Sequence, residues 1–215
     1  MSHGVVEKRN NLCIERVVTR GTFKLDGGSW EVENNIWLLG DDSDVLIVDA
    51  AHHAEPIIDA VAGRNVVAVV CTHGHNDHIT VAPELGKSLL APVLLHPADA
   101  MLWEEVHGDA AYWPLHHGQR IGVAGTEIEV LHTPGHSPGS VCLYLGALDA
   151  VFSGDTLFSG GPGATGRSYS DFPTIVASIS QRLGQLPDNT TVYTGHGNST
   201  TLGDELDHHH EWSSG

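Results

Sequence analysis

Cys71-Thr72-His73-Gly74-His75-Asn76-Asp77-His78 puts three imidazoles and one carboxylate within six residues, directly after the apolar run 65–71. A regular strand sends alternate side chains to opposite faces, and a helix spreads them around its axis. Four ligands this close therefore cannot all reach one tetrahedral ion from regular structure. They point to a loop at a strand end, and such a loop can serve two ions.

Three clusters downstream make that reading quantitative. Thr133-Pro134-Gly135-His136-Ser137-Pro138-Gly139-Ser140 holds one histidine in a turn-rich loop after the strand-like run 127–131. Phe152-Ser153-Gly154-Asp155-Thr156 places a carboxylate after another apolar run, and Tyr193-Thr194-Gly195-His196-Gly197-Asn198 closes the set. A centre for two metals needs about three protein ligands per ion and a bridging group. These loops supply that number, all as nitrogen and oxygen donors, which suit zinc, iron or manganese without selecting one.

The ordered series HxHxDH, PGHS, SGDT and GHG resembles the metallo-β-lactamase fold superfamily, over residues from about 34 to 205. The resemblance implies an α/β fold, a four-layer αββα sandwich. It also implies that His73, His75 and His136 hold one metal, that Asp77, His78 and His196 hold the other, and that Asp155 bridges them. The run Val45-Leu46-Ile47-Val48-Asp49 resembles the early strand whose aspartate supports the metal loop from behind, as partners of ligands commonly do. Two divalent ions follow, zinc first and iron or manganese next. Two such ions sharing a water acidify it toward neutrality and so supply hydroxide, which Asp77 would orient as a catalytic residue.

Within the superfamily, true β-lactamases carry a cysteine or serine near the position of Asp155, so antibiotic hydrolysis is not expected. Gly166-Arg167-Ser168-Tyr169-Ser170-Asp171-Phe172 resembles the Gly-Arg-Thr-Asp-Phe loop of glyoxalase II-like proteins, with two extra residues before Asp171. Arg167 becomes the second candidate catalytic residue, a guanidinium suited to a substrate carboxylate. The chain resembles the short bacterial glyoxalase II-like branch, and little follows residue 205 to contribute glutathione contacts. A small thioester, an acyl- or formyl-thiol conjugate, is the expected substrate, because a thiolate leaves without the protonation an amine requires. The alternative is an iron-dependent persulfide dioxygenase, in which residues matching His73, His136 and Asp155 hold a single iron.

Composition fits one compact enzyme domain over 1–215, with 40% hydrophobic residues. A formal charge of −17, with ten Lys and Arg, argues against nucleic-acid binding. No apolar stretch is long enough to span a bilayer and the start lacks a signal peptide's apolar region, so a cytoplasmic protein acting on a small molecule is expected. Cys13, Cys71 and Cys142 are too few and too odd for a disulfide framework. Oligomeric state is not legible. His52 and His53 follow Asp49 toward the expected site mouth, His116 and His117 lie in a loop that could cover it, and His208 to His210 form a surface tract.

Periodicity predicts strands over 35–39, 45–49, 66–72, 93–96, 127–131, 141–145, 150–153 and 191–193. Helices are predicted over 55–62, 79–90, 99–106 and 171–186, the last capped by Asp171 with Pro173 in its first turn.

Overall fold

Apolar strands buried on both faces form the middle of both large sheets of the computed structural model, which describes residues 2–212. β1 (Ser2–Arg9), β2 (Leu12–Leu25) and β3 (Gly28–Gly40) form an antiparallel meander. β4 (Asp44–Val48) pairs antiparallel with β3, and α1 (Ala54–Val61) crosses over to the parallel strand β5 (Asn65–Val70). Helices α2 (Asn76–Ile79) and α3 (Ala82–Ser88) lead to β6 (Val93–Leu95), and α4 (Ala100–His107) leads to β7 (Trp113–Pro114). The seven strands lie side by side in chain order.

The second sheet uses β8 (Arg120–Val123), β9 (Thr126–His132), β10 (Val141–Leu145) and β11 (Ala150–Gly154). After a small hairpin, β12 (Leu157–Phe158) with β13 (Gly161–Pro162), helix α5 (Phe172–Arg182) returns the chain to β14 (Thr191–Thr194), β15 (Thr200–Thr201) and α6 (Leu202–Asp207). The strand order is β15-β14-β11-β10-β9-β8, with β11 and β14 parallel.

Successive residues of β4 point to opposite faces, which explains its unbroken apolar run. Leu46 and Val48 face the second sheet, where Trp37 and Val70 meet Val130, Leu143 and Phe152. Val45 and Ile47 face outward with Ile36 and Val69, under Ile57 and Val61 of α1 and Leu85 of α3. On the far side Cys142, Val151 and Val192 are covered by Ile175 and Ile179 of α5 and by Leu202. The layers therefore run helix, sheet, sheet, helix, an αββα sandwich. Full burial of each such side chain stabilises the fold by about 1.5–3 kcal/mol.

Expected and observed elements differ in places that have local causes. The helix expected over 79–90 is two pieces, because Val81 gives its N–H to the Ala50 carbonyl at 3.0 Å and Pro83 starts a new first turn. Asp171 caps α5 by accepting from the Thr174 N–H at 2.9 Å, but the α-helix stops at Arg182 and a tight turn, Leu183–Gln185, follows. Only the end of β3, over 35–39, was expected; β2 and the rest of the long hairpin were not, and neither was β1, whose residues are almost all exposed. Trp103 is buried and donates to the Ala110 carbonyl, whereas Trp113 is exposed. Among the described residues no helix is long and apolar enough to cross a membrane.

Candidate metal centre

Each loop flagged in the sequence leaves one end of a central strand, and the sheets bring those ends together. β5 leads to His73 and His75, α2 carries Asp77 and His78, and the loop after β9 carries His136. Asp155 follows β11 and His196 follows β14. Their parallel pairing sets the last two side by side. Gly195 has to lack a side chain, since a Cβ there would meet Asp155 Oδ1 and the His78 ring. Gly154 turns with φ of +50° and its missing Cβ leaves room for Thr72.

The seven expected residues converge in overlapping groups. His75 Nδ1 lies 3.0 Å from both His73 Nε2 and His136 Nε2. His196 Nε2 lies 3.2 Å from His78 Nε2 and 3.3 Å from Asp77 Oδ2. Asp155 stands between the groups, with Oδ1 3.3 Å from His78 Nε2 and Oδ2 3.3 Å from His196 Nε2 and 3.6 Å from His136 Nε2. His73, His78 and Asp155 form a third combination within ligand range of one another.

Hydrogen bonds at the back of the rings decide which atoms face inward. His136 Nδ1 donates to the Ala164 carbonyl at 2.9 Å, His196 Nδ1 to the Glu33 carbonyl at 2.7 Å and His78 Nδ1 to Asp49 Oδ2 at 2.8 Å. Thr72 gives its hydroxyl proton to Asp49, so His73 Nδ1 donates to Thr72 Oγ1 at 3.1 Å. With their Nδ1 protons directed outward, neutral His73 and His136 turn Nε2 lone pairs toward His75 Nδ1, and the single proton that nitrogen can carry does not satisfy both. A cation can. Asp155 Oδ1 is likewise buried with no hydrogen-bond partner. The donor set thus fits metal ions.

The electrostatics of the cluster point the same way. Burial opposes charge on His78, yet Asp155, Asp49 and Asp77 outweigh it and hold the ring protonated well above the usual range. Burial opposes charge on His196 too, and Asp155 and Asp77 still raise it to about 10. His75, buried and beside His136, is pushed down to about 3, and His73 is also lowered by burial and its neighbouring rings. Against burial, His78 and His196 draw both Asp77 and Asp155 below the ordinary carboxylate range. Without metal, the carboxylates thus favour the protonated form of His78 and His196.

Two buried carboxylates brace the loops. Asp49 accepts from the Thr72 N–H at 2.7 Å as well as from Thr72 Oγ1 and His78, the role its resemblance implied. Asp99 accepts from the Gly74 N–H at 2.7 Å, Ser137 Oγ at 2.7 Å and the Gly139 N–H at 2.6 Å, tying the His73–His75 loop to the His136 loop. Burial raises its pKa against those three hydrogen bonds. Sequence reading used Asp99 only as a helix start and missed this; its position before α4 carried no signal of where its side chain would reach.

A cavity of about 290 Å³ opens on the cluster, walled by Phe23, Trp30, Val32 and Phe158. Arg167 lines it with its guanidinium 3.8 Å from the Trp30 ring centre, and the adjacent Ser168 N–H donates to Asp26 at the tip of the β2–β3 hairpin. Arg167 is therefore at the cavity wall, stacked, and not among the converging ligand atoms. The unforeseen hairpin supplies Phe23 and Trp30. His116 and His117 do not line the cavity; they are exposed near His96 and His132, whose rings stack at 4.0 Å. His52 does reach the site's edge, 2.7 Å from Asn34.

Comparison with known proteins agrees with this geometry. The chain is 30% identical over 186 residues to the hydroxyacylglutathione hydrolase GloC of Haemophilus influenzae, covering 79% of this chain and 87% of that one. It is 33% identical to TTHA1623, solved in a di-iron-bound form, with a TM-score of 0.74 and coverage of 81% and 93%. The BLEG-1 B3 metallo-beta-lactamase is also similar, at 28% identity, a TM-score of 0.72 and coverage of 89% and 98%. Residues 30–196 match the family described as the metallo-beta-lactamase superfamily, and the chain belongs to that superfamily.

Proposed function

We propose that the chain is a binuclear metal-dependent hydrolase acting on a small thioester. The observation that carries the binuclear reading is Asp155, whose two oxygens reach ligand atoms of both groups while Oδ1 lacks any hydrogen-bond partner. His73, His75 and His136 would hold one ion and Asp77, His78 and His196 the other, with Asp155 shared. Two divalent ions held there supply a hydroxide nucleophile near neutral pH and stabilise charge on the substrate oxygen. Zinc is our assignment, and the nitrogen and oxygen donors accept iron as well.

The cavity supports a thioester in particular. Apart from the ligand residues, Arg167 is the one ionisable group lining it, and a guanidinium does not give up a proton in proteins. No residue there can protonate a departing amine, whereas a thiolate needs no such help. Asp77 points Oδ2 into the ligand group, which leaves its other oxygen to orient the nucleophile. Phe23, Trp30 and Phe158 exclude water beside it, and Arg167, held flat on Trp30, offers parallel N–H donors to a carboxylate on the thiol carrier. The acidic chain and the small cavity favour a small-molecule substrate in the cytoplasm.

The test is a panel of acyl- and formyl-thiol conjugates assayed on protein carrying two ions per chain, with a β-lactam and a thiol persulfide alongside. Thioester hydrolysis is expected. Turnover of the β-lactam alone, or oxygen uptake with the persulfide, would replace this reading with the lactamase or the dioxygenase.

A further inference from the structure

β1 pairs with β2 as far as Val18, and beyond it no strand of the described residues lies against that edge of β2. A bare edge presents N–H and C=O groups that need partners. Residues two apart in a strand turn these groups to the same edge, so Thr22 and Lys24 offer theirs together on either side of Phe23. Asn76 meets both. Its Nδ2 donates to the Thr22 carbonyl at 2.7 Å, and its Oδ1 accepts from the Lys24 N–H at 2.7 Å. One primary amide thereby supplies the donor and the acceptor that a neighbouring strand would have supplied.

Asn76 stands between His75 and Asp77, and sequence reading gave it no role. Phe23, fixed between its two hydrogen bonds, lines the cavity with its ring centre 5.2 Å from the His75 ring and 5.6 Å from the Trp30 ring. We propose that Asn76 is a positioning residue for substrate binding: it fastens the root of the β2–β3 hairpin to the metal loop and so sets where Phe23 stands in the cavity wall. This rests on the thioester reading above. Asn76 itself belongs neither to the cavity lining nor to the groups of converging ligand atoms, so it acts through Phe23.

The position is selective for an amide. An aspartate would still accept from Lys24 but would set a carboxylate oxygen against the Thr22 carbonyl, and an apolar side chain would leave both backbone groups without a partner. The tip of the hairpin is fastened separately, by Asp26 accepting from the Ser168 N–H at 3.0 Å. Asn76 therefore governs the end of the wall nearest the metal loop, where Phe23 lies against His75, and Asp26 governs the end nearest Arg167. Loss of Asn76 frees Phe23 while the tip stays joined.

The experiment uses the zinc-loaded full chain and an acyl-thiol conjugate that it hydrolyses, comparing the parent with Asn76→Ala, Phe23→Ala and the double variant. Thermal unfolding and metal content check that each folds and holds its ions. Each single variant should raise KM about fivefold with kcat within about twofold, and the double variant should be no worse than Phe23→Ala. Lys24→Pro, which removes the same N–H from the strand side, should raise KM likewise. The Lys24 amide should exchange with solvent at least about tenfold faster in Asn76→Ala. An unchanged KM or unchanged Lys24 exchange in Asn76→Ala, additive effects in the double variant, or loss of an ion from Asn76→Ala overturns the proposal and leaves the thioester reading intact. A parent chain that hydrolyses no acyl-thiol overturns both.

Discussion

The two halves of the candidate centre are built on different principles. The half made by His73, His75 and His136 consists of imidazoles, two of them driven to the neutral form by burial and by neighbouring rings. Its two loops are fastened at one point, Asp99. The half made by Asp77, His78 and His196 is rich in carboxylate and keeps its histidines charged when no metal is present. It is gathered from α2, the end of β14 and, through Asn34, from β3. One half is thus a local construction of two braced loops, and the other depends on the two sheets being packed in register.

Mutations can break that contrast or sharpen it. Asp155→Ala removes the group shared by both halves and is expected to have the largest effect. A loss of several kcal/mol of transition-state stabilisation corresponds to a fall of about a thousandfold or more in kcat/KM on an acyl-thiol, read together with metal content. Asp49→Ala strands the Thr72 N–H, the Thr72 hydroxyl and His78 Nδ1 without their acceptor. Urea unfolding should show a loss of about 2–4 kcal/mol, and the second ion should bind about 10–100-fold more weakly.

Asp99→Ala should act on the other half. It leaves two N–H groups and one hydroxyl unpaired, so about 2 kcal/mol of stability is expected to go, with zinc affinity falling about tenfold at the imidazole half and little at the other. Equal weakening of both would show that the halves are not independent. Arg167→Ala touches neither half; KM for a carboxylate-bearing thioester should rise about tenfold with kcat nearly unchanged, since the contact serves binding equally in ground and transition states.

The metal-free protein should carry the contrast in its pH dependence. His196, raised to about 10 from an ordinary 6.5, contributes stability that is fully present below pH 6.5 and lost as pH climbs through 10. His75, lowered to about 3, contributes in the opposite sense, losing stability as pH falls from 6.5 toward 3. Unfolding midpoints between pH 4 and pH 10 should therefore decline at both ends without metal, and the alkaline decline should be absent in zinc-loaded protein. A flat alkaline limb in the metal-free form would count against the carboxylate-rich half as described.

The ligand loops were legible because each is short, turn-rich and fixed to the end of an apolar strand, so spacing in the chain reports spacing in the fold. β4, β5, β10 and β11 were legible for the same reason, being buried on both faces. What escaped notice has no local signature. β1 is exposed along most of its length and so lacks an apolar rhythm. Phe23 and Trp30 are brought to the cavity by a hairpin whose alternation in β2 mixes buried and half-buried positions. Asn34 and Asp99 are single polar residues whose partners lie tens of residues away, at Asp77 and Ser137, and only the packed sheets bring them within reach, whereas His52 was legible from its place just after Asp49.

The binuclear claim is tested most directly by metal content per chain, measured on protein purified without added metal or chelator, for the parent and for His78→Ala. About two ions in the parent and about one in His78→Ala is the predicted result. A single iron in the parent, unchanged on losing His78, would contradict it and point to the mononuclear dioxygenase instead.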